Sequence, residues 1–434
     1  MSAVQGVAGS YRRLLGEPVL RGLAVADVCA RLPQGMVSIT LLLLAAGHAS
    51  MTTAGLVVAG YTIGQAVTGP LRGRLADRYG LFPVAAACGI GYALALAVLV
   101  AGPLAREPAG PLVAAAAAAG LAVPPLSPGM RSLWSVQAGP GLRHAAFALD
   151  AAVFDLGSIA GPALAGALAT GIAPAAAVAV LVVLTGAAVI IIGAQARRGD
   201  VAPGERDARR ERQPRARRSV LGPLHSAELR SLLVTGALAN AALSAVEVGL
   251  TAYTRHHHAL WASGPLLAEI SVGSVLGSLL LGARTPTGDG HRRLARLLGC
   301  YALGLAALTA AGLDAPLLAV AAPVAGLCLG PTLASLFGLA ASAAPSSAGT
   351  ETQAWLNTGM NGGAAAGAVL AGLTAGQPVL ALALAALIAT VAAASAAASA
   401  AVSAAVSGTR AFRQMPNNRT AIRDALPDDQ RVPD

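Results

Sequence analysis

Long apolar runs recur along the whole chain, separated by short polar or arginine-containing stretches. Twelve of these runs are about 20 residues long or longer, the length that an α-helix needs to cross a bilayer. They are predicted at 19–44, 53–71, 83–103, 111–136, 145–170, 174–195, 229–252, 260–282, 294–313, 316–340, 350–375 and 377–406. The pattern predicts an all-α membrane protein with twelve transmembrane helices, which we call spans 1 to 12.

Composition excludes an ordinary soluble enzyme. Of the 434 residues 55% are hydrophobic and 12% are charged, whereas an average soluble domain has about 25% charged residues. Cysteines occur singly inside apolar runs, at Cys29, Cys88, Cys300 and Cys328. We interpret them as buried free thiols. The histidine run 256–258 could bind metal weakly, but a solvated polar run is the favoured interpretation. We therefore expect no metal site and no cofactor.

Arginine distribution predicts the orientation in the membrane. No lysine occurs, so all 30 basic residues are arginines, and they lie at the termini and in the even-numbered connections. The odd-numbered connections carry only Arg106 and Arg255. The positive-inside rule then places both termini in the cytoplasm, in an inner (plasma) membrane. Because topology accounts for the net charge of +10, we expect no nucleic-acid partner.

The chain divides into two halves around one arginine-rich linker. The predicted segments are a cytoplasmic N-terminus (1–18), a six-helix bundle (19–195), the linker (196–228), a second six-helix bundle (229–406) and a disordered cytoplasmic tail (407–434). The linker holds nine arginines between Arg197 and Arg218. A solvated joint is the simpler interpretation, and binding of the linker to anionic lipid headgroups is the alternative.

An internal repeat relates the two bundles. A shift of 209 positions places Gly64 on Gly273, and a shift of 206 then places Gly157 on Gly363. Since each copy has six spans, an even number, both copies have the same topology. This predicts two parallel repeats related by an axis along the membrane normal.

The connection after span 2 reads Gly-Arg-Leu-Ala-Asp-Arg-Tyr-Gly over 73–80. It resembles the loop signature between helices 2 and 3 of the major facilitator superfamily, a family of twelve-helix transporters. Gly73 and Gly80 allow a tight turn and a close approach to a neighbour. Asp77 can face a helix N-terminus or an arginine of the other half. The resemblance implies that Asp77 and Arg78 form a cytoplasmic gate, and an ordinary surface turn is the alternative.

Span 5 carries a second motif, with Gly157, Gly161, Pro162 and Gly166. It resembles the helix 5 signature of antiporters in the same superfamily, and this resemblance implies export. The glycines lie close to one helical face on which another helix can pack, and Pro162 removes a backbone hydrogen bond. Small-residue packing with no directional meaning is the alternative.

Ionisable residues inside the predicted spans are candidate functional groups, because each costs at least about 2.5 kcal/mol at the bilayer centre. Asp27 and Arg31 lie one turn apart in span 1 and can neutralise each other. Asp155 in span 5 and Glu269 in span 8 lie near mid-depth with no basic residue one turn away. We expect these two carboxylates to couple protons, and Glu247 in the outer part of span 7 is a further candidate. Asp27 and Arg31 are candidates for substrate binding, with a purely structural ion pair as the alternative.

Three more charged residues lie near the predicted cytoplasmic ends of spans 4 and 5. Arg131, Arg143 and Asp150 could form a gate network with Asp77. Simple anchoring by the positive-inside rule explains the two arginines equally well.

Together these features predict a monomeric secondary transporter that exports a small organic molecule against proton entry by alternating access. Nutrient uptake on the same fold is the nearest alternative. A membrane enzyme is a weaker one, because it would need a polar catalytic cluster that the sequence lacks. No Walker motif occurs, so transport driven by ATP is not expected from this chain.

Overall fold

A computed structural model describes residues 2–46, 51–104, 109–197, 222–259, 262–282, 289–311, 315–345, 347–374 and 376–414. Over these residues the chain is helical, and the predicted all-α fold is confirmed. Most of the arginine-rich linker and the last twenty residues of the tail lie outside the described residues.

Twelve helical spans follow one another in the described part of the chain. They are span 1 (Pro18–Ala46), span 2 (Met51–Tyr79), span 3 (Leu81–Leu104), span 4 (Ala109–Leu121 and Leu126–Gln137), span 5 (Gly139–Gly171), span 6 (Pro174–Arg197), span 7 (Ala227–His256), span 8 (Ser263–Gly282), span 9 (Gly290–Ala311), span 10 (Ala315–Gly326 and Leu329–Ala343), span 11 (Gly349–Leu373) and span 12 (Pro378–Gln414). Span 12 continues to Gln414 instead of ending at 406.

Ten of the spans are long and apolar enough to cross a membrane by length and composition alone, among the residues described. The other two are spans 2 and 11. Both carry charged or polar residues along their length, and they pack against each other across the two halves. Charged residues of both spans, among them Asp77 and Glu351, lie in this contact.

Glycine contacts repeat between the halves and confirm the internal repeat. In the first half, Gly157 of span 5 lies against the backbone of Arg31 in span 1. In the second half, its repeat mate Gly363 of span 11 lies against the backbone of Ala237 in span 7. Bare backbone at both positions lets the helices approach closely.

Spans 4 and 10 are each broken into two helices, which corrects the continuous spans predicted at 111–136 and 316–340. The break in span 4 holds Pro124 and Pro125, which cannot donate backbone hydrogen bonds. The break in span 10 holds Leu327 and Cys328. The repeat brings the two breaks to corresponding positions, because Gly120 pairs with Gly326.

An additional helix, Ser2–Gly16, precedes span 1 in a segment for which the sequence predicted no element. It packs against spans 1, 5 and 8 and so touches both halves. Leu14 is fully buried, and the Tyr11 hydroxyl donates to the Leu279 carbonyl of span 8 at 3.4 Å. Burial raises the pKa of Tyr11, so the hydroxyl stays protonated as a donor. We call the end of the molecule with this helix and Gly80 the terminal face.

Candidate functional site

Asp77 joins the two halves at the terminal face. Its two carboxylate oxygens accept the backbone amides of Thr350 at 2.9 Å and Glu351 at 2.8 Å. Both amides belong to the first turn of span 11, where backbone donors have no partner within their own helix. The carboxylate therefore caps a helix of the other half and also lies at the positive end of that helix dipole.

A salt bridge supports this cap. Arg74 contacts the Glu351 carboxylate at 2.6 Å through Nη2 and at 3.1 Å through Nε. Gly73 lies so close to span 11 that a Cβ there would come within 2.9 Å of the Glu351 Cα. Arg78, which the family resemblance paired with Asp77, instead lies over the ring of Tyr79. Arg74 is thus the arginine of this motif that reaches the other half.

The motif ends in a turn that requires glycine. Gly80 has a φ of +94°, a left-handed conformation that residues with a Cβ rarely adopt. Its amide donates to the Ala76 carbonyl at 2.9 Å and closes the end of span 2.

Arg72 is not the loop charge that the sequence suggested. Its side chain is buried beside the break in span 4, where it donates to the Val123 carbonyl and, at 2.9 Å, to the Gln65 carbonyl. Thr68 donates to the Leu121 carbonyl on the same side. The bonds to Val123 and Leu121 satisfy carbonyls that the break removes from helical pairing.

A buried cluster of two arginines and two aspartates lies inside the first half. Arg31 contacts Asp27 at 3.2 Å, as the one-turn spacing predicted, and also contacts Asp150 of span 5. Arg131 of span 4 contacts the other oxygen of Asp150 at 3.1 Å. The indole of Trp134 donates to Asp27 at 3.3 Å. All four charged side chains are at most 2% exposed, and their formal charges cancel.

Arg131 extends this cluster into the second half. Its guanidinium donates to the Asn357 side chain of span 11 at 2.8 Å and lies 3.4 Å from the ring centroid of Phe337 in span 10. The sequence placed Arg131 and Asp150 near the rim, in a network with Asp77 or as anchors. They lie instead with Asp27 and Arg31.

Asp155 faces the other half directly. The Ser274 hydroxyl of span 8 donates to its carboxylate, and both residues are buried, at 5% and 0% exposure. No salt bridge reaches Asp155 among the described residues, as the absence of a basic neighbour in sequence predicted. A titratable group thus sits in the contact between spans 5 and 8.

Glu269 and Glu247 lie elsewhere. Glu269 shares a face of span 8 with Val272 and Leu276, which are about half exposed, and the structure does not bring it to Asp155. One of its oxygens is buried without a hydrogen-bond partner. Glu247 is exposed on span 7.

The glycine motif of span 5 packs within the first half. Gly161 lies against Gly35 and Met36 of span 1, as Gly157 lies against Arg31. Gly166, expected near the same packing face, has no neighbouring atom within 4 Å of the point at which a Cβ would lie. The same packing recurs in the second half, where position 368 is alanine instead of the proline found at 162, so the glycines serve helix packing in both repeats.

Contacts between the halves concentrate toward the terminal face. Span 2 packs on span 11, and span 5 packs on spans 8 and 10. In span 4 it is the second helix, Leu126–Gln137, that packs on spans 10 and 11, whereas the first, Ala109–Leu121, packs on spans 2 and 3 of its own half. The structure is therefore closed at the terminal face.

Twelve spans in two repeated six-helix halves, joined at one end by a capped helix and a buried charge cluster, define a multi-pass membrane protein with a transporter fold. The family model described as Major Facilitator Superfamily matches residues 23–368. The chain belongs to the major facilitator superfamily, as the motif of span 2 suggested.

Solved structures share this fold at low sequence identity. The human organic anion transporter MFSD10 (TETRAN) has a TM-score of 0.67 and 15% identity, covering 88% of this chain and 100% of its own. A bacterial homologue of the iron transporter ferroportin, in an outward-facing state, has a TM-score of 0.69 and 13% identity, with coverage of 88% and 100%. The E. coli fucose:proton symporter FucP has a TM-score of 0.65 and 14% identity, with coverage of 87% and 98%. A search of curated proteins finds no match to this sequence.

Proposed function

We propose that this transporter exports a small organic molecule in exchange for protons by alternating access. The observation that carries this proposal is the contact between Asp155 and Ser274. A carboxyl that can bind and release a proton lies in the seam that must separate when the terminal face opens. Its protonation state therefore biases the equilibrium between the state that is closed at the terminal face and the state that is open there.

Asp77 serves as the gate residue in this proposal. Two backbone amides of span 11 donate to it, and both hydrogen bonds must break when the halves separate at the terminal face. Gly73 and Gly80 allow the close approach and the turn at this gate, and Arg74 adds a salt bridge to it. Arg31 and Asp27 lie deeper in the first half and are the candidate substrate-binding pair.

The arginine distribution supports an orientation in which the terminal face lies in the cytoplasm. The protein lies in the inner (plasma) membrane as a monomer in this proposal. In that orientation the end that Asp77 and span 11 hold closed faces the cytoplasm. Labelling of single cysteines placed at 205 and 215 tests it. Labelling from outside intact cells would refute the orientation.

The coupling is tested in proteoliposomes with the purified protein and an imposed pH gradient. Addition of substrate should change the luminal pH of vesicles that hold the wild type. The Asp155→Asn variant should bind substrate without this change of pH. Ser158→Ala, on an exposed face of the same span, is the matched control.

The direction of transport is read in the same vesicles by reversing the gradient. Movement of substrate in the direction opposite to the flow of protons supports export, as the resemblance of span 5 to antiporters suggests. Substrate movement with the protons would instead support uptake, the mode that the name of the fucose:proton symporter records for that protein. Proton movement that persists in Asp155→Asn would refute the role of Asp155.

A further inference from the structure

Span 7 carries a polar stripe. Asn240, Ser244, Glu247 and Thr251 follow one another at spacings of four, three and four residues, which places them on one helical face. Asn240 and Ser244 are half-buried, whereas Glu247 and Thr251 are exposed. The stripe therefore opens toward the end of span 7 that is opposite the terminal face.

Contacts of span 7 show where this stripe points. Gly236 packs on spans 10 and 11, Ala241 on span 11 and Gly249 on span 12. On a helical wheel Glu247 lies close to the Gly236 face and points away from the face that contacts span 12. Asn240 donates to the Met360 carbonyl of span 11 at 3.0 Å, so the open part of the stripe is its outer part, with Glu247 and Thr251.

The internal repeat supplies a matching face on span 1. The shift of 209 positions pairs Arg31 with Asn240 and Ser38 with Glu247. The glycine contacts pair Arg31 with Ala237 instead, one turn earlier on the same helix. Ser38 is exposed, and Gln34 lies between it and the buried cluster. The acidic member of the outer pair therefore has a neutral counterpart in the first half.

Charge balance distinguishes Glu247 from the acidic residues inside the first half. The two aspartates of the buried cluster are neutralised by Arg31 and Arg131. Asp155 has its hydrogen bond from Ser274. In the described part of the chain no ion pair or side-chain hydrogen bond reaches the Glu247 carboxylate, and Arg255 on the same helix is about 12 Å away along its axis.

We propose that Glu247 binds the positive charge of a small organic cation, which names the substrate class of the transporter proposed above. A carboxylate in a cleft with low-dielectric walls attracts a cation more strongly than one in bulk water. Ser244 and Ser38 offer hydroxyl groups to the rest of the ligand, whereas the Thr251 hydroxyl donates to the Glu247 carbonyl and the Gln34 amide donates to Ser127. The stripe itself has no aromatic ring, so the ion pair with Glu247 is the main source of recognition.

Binding of defined probes tests this assignment without requiring transport. The full chain is reconstituted in nanodiscs of zwitterionic lipid, and binding of tetraethylammonium, tetrabutylammonium and tetraphenylphosphonium is measured at pH 7.5. Tetraphenylborate, an anion with the shape of tetraphenylphosphonium, tests the sign of the charge. Glu247→Gln removes the charge at nearly constant volume, and Glu228→Gln makes the same change in the first turn of span 7 as a control.

We expect at least one of the cations to bind the wild type and to bind Glu247→Gln about tenfold more weakly or worse. Glu228→Gln should bind as the wild type does, and tetraphenylborate should not compete. Absence of binding by all three cations, or equal binding to Glu247→Gln in a protein with unchanged thermal unfolding, would overturn the proposal. Charge-selective binding without movement driven by a pH gradient would refute proton coupling but leave the cation site intact.

Discussion

The carboxylate of Asp77 and the backbone amide of Glu351 meet across the two halves at 2.8 Å, although 274 residues separate them. A second oxygen of the same carboxylate accepts the Thr350 amide. The closed terminal face thus depends on a helix cap whose two partners come from different repeats.

Removing the cap should open this end. In Asp77→Ala both amides lose their acceptor, which should shift the closed state by about 1.5–3 kcal/mol toward the open one, because hydrogen bonds to charged groups have that strength. Asp77→Asn keeps one acceptor and should have a smaller effect. Spin labels at positions 79 and 347 report the separation by EPR.

Arg78→Gln is the control for this measurement, since Arg78 lies on Tyr79 and not on span 11. An unchanged distance distribution in Asp77→Ala would show that the cap does not hold the terminal face closed.

Reversing the charges of Arg74 and Glu351 tests the neighbouring salt bridge. Arg74→Glu should weaken closure by about 1 kcal/mol or less, because the arginine is 26% exposed and surface ion pairs contribute little. Arg74→Glu combined with Glu351→Arg should recover part of the loss. The same EPR distance, measured for the wild type, the two single variants and the double variant, gives the coupling energy between the two positions. Additive effects of the two substitutions would argue against the salt bridge.

The buried cluster should be sensitive to charge imbalance. Arg131→Met leaves two aspartates with one arginine, and breaking a buried pair in this way costs about 3–5 kcal/mol. We expect a lower midpoint of thermal unfolding for the purified protein. Adding Asp150→Asn restores neutrality and should raise the midpoint again, whereas a single variant as stable as the wild type would contradict the assigned pairing.

The N-terminal helix should be anchored by one leucine. Leu14 is fully buried and Leu15 is 41% exposed, so the two neighbours form a matched pair. Leu14→Ala should cost about 2–5 kcal/mol of local stability, as for other buried leucines, and Leu15→Ala much less. Hydrogen exchange over residues 9–16 measures the difference, and equal exchange in both variants would indicate that this helix is not docked.

The local sequence pattern was sufficient to predict the spans, the repeat and the contact of Asp27 with Arg31. The length of an apolar run and a one-turn spacing are both visible within a single stretch of sequence. It could not show that Asp150 and Arg131 complete that pair, since they lie on other helices. It also could not show that Arg74, and not Arg78, contacts span 11. Whether Arg74 or Arg78 faces span 11 depends on the rotation of span 2, which the sequence alone does not specify.

The sequence of span 4 did contain a signal of its break, which the prediction of a continuous helix did not use. Pro124 and Pro125 stand together in the middle of a predicted span, and neither can donate a backbone hydrogen bond. Buried Arg72 supplies donors there from a stretch that sequence alone assigned to a loop. Its partner carbonyl at Val123 becomes available only because the helix breaks.

Spans 2 and 11, which are not apolar enough to qualify as membrane helices on their own, also set an order for biogenesis. Span 2 leaves the ribosome long before its partner, since Asp77 and Thr350 are 273 residues apart. At about 5–20 residues per second, roughly 15–55 s pass before span 11 is synthesised. During that interval the newly made first half holds span 2 in the bilayer through contacts with spans 1, 3 and 4 alone. Arg74 and Asp77 at its end gain their partners only when span 11 has been made.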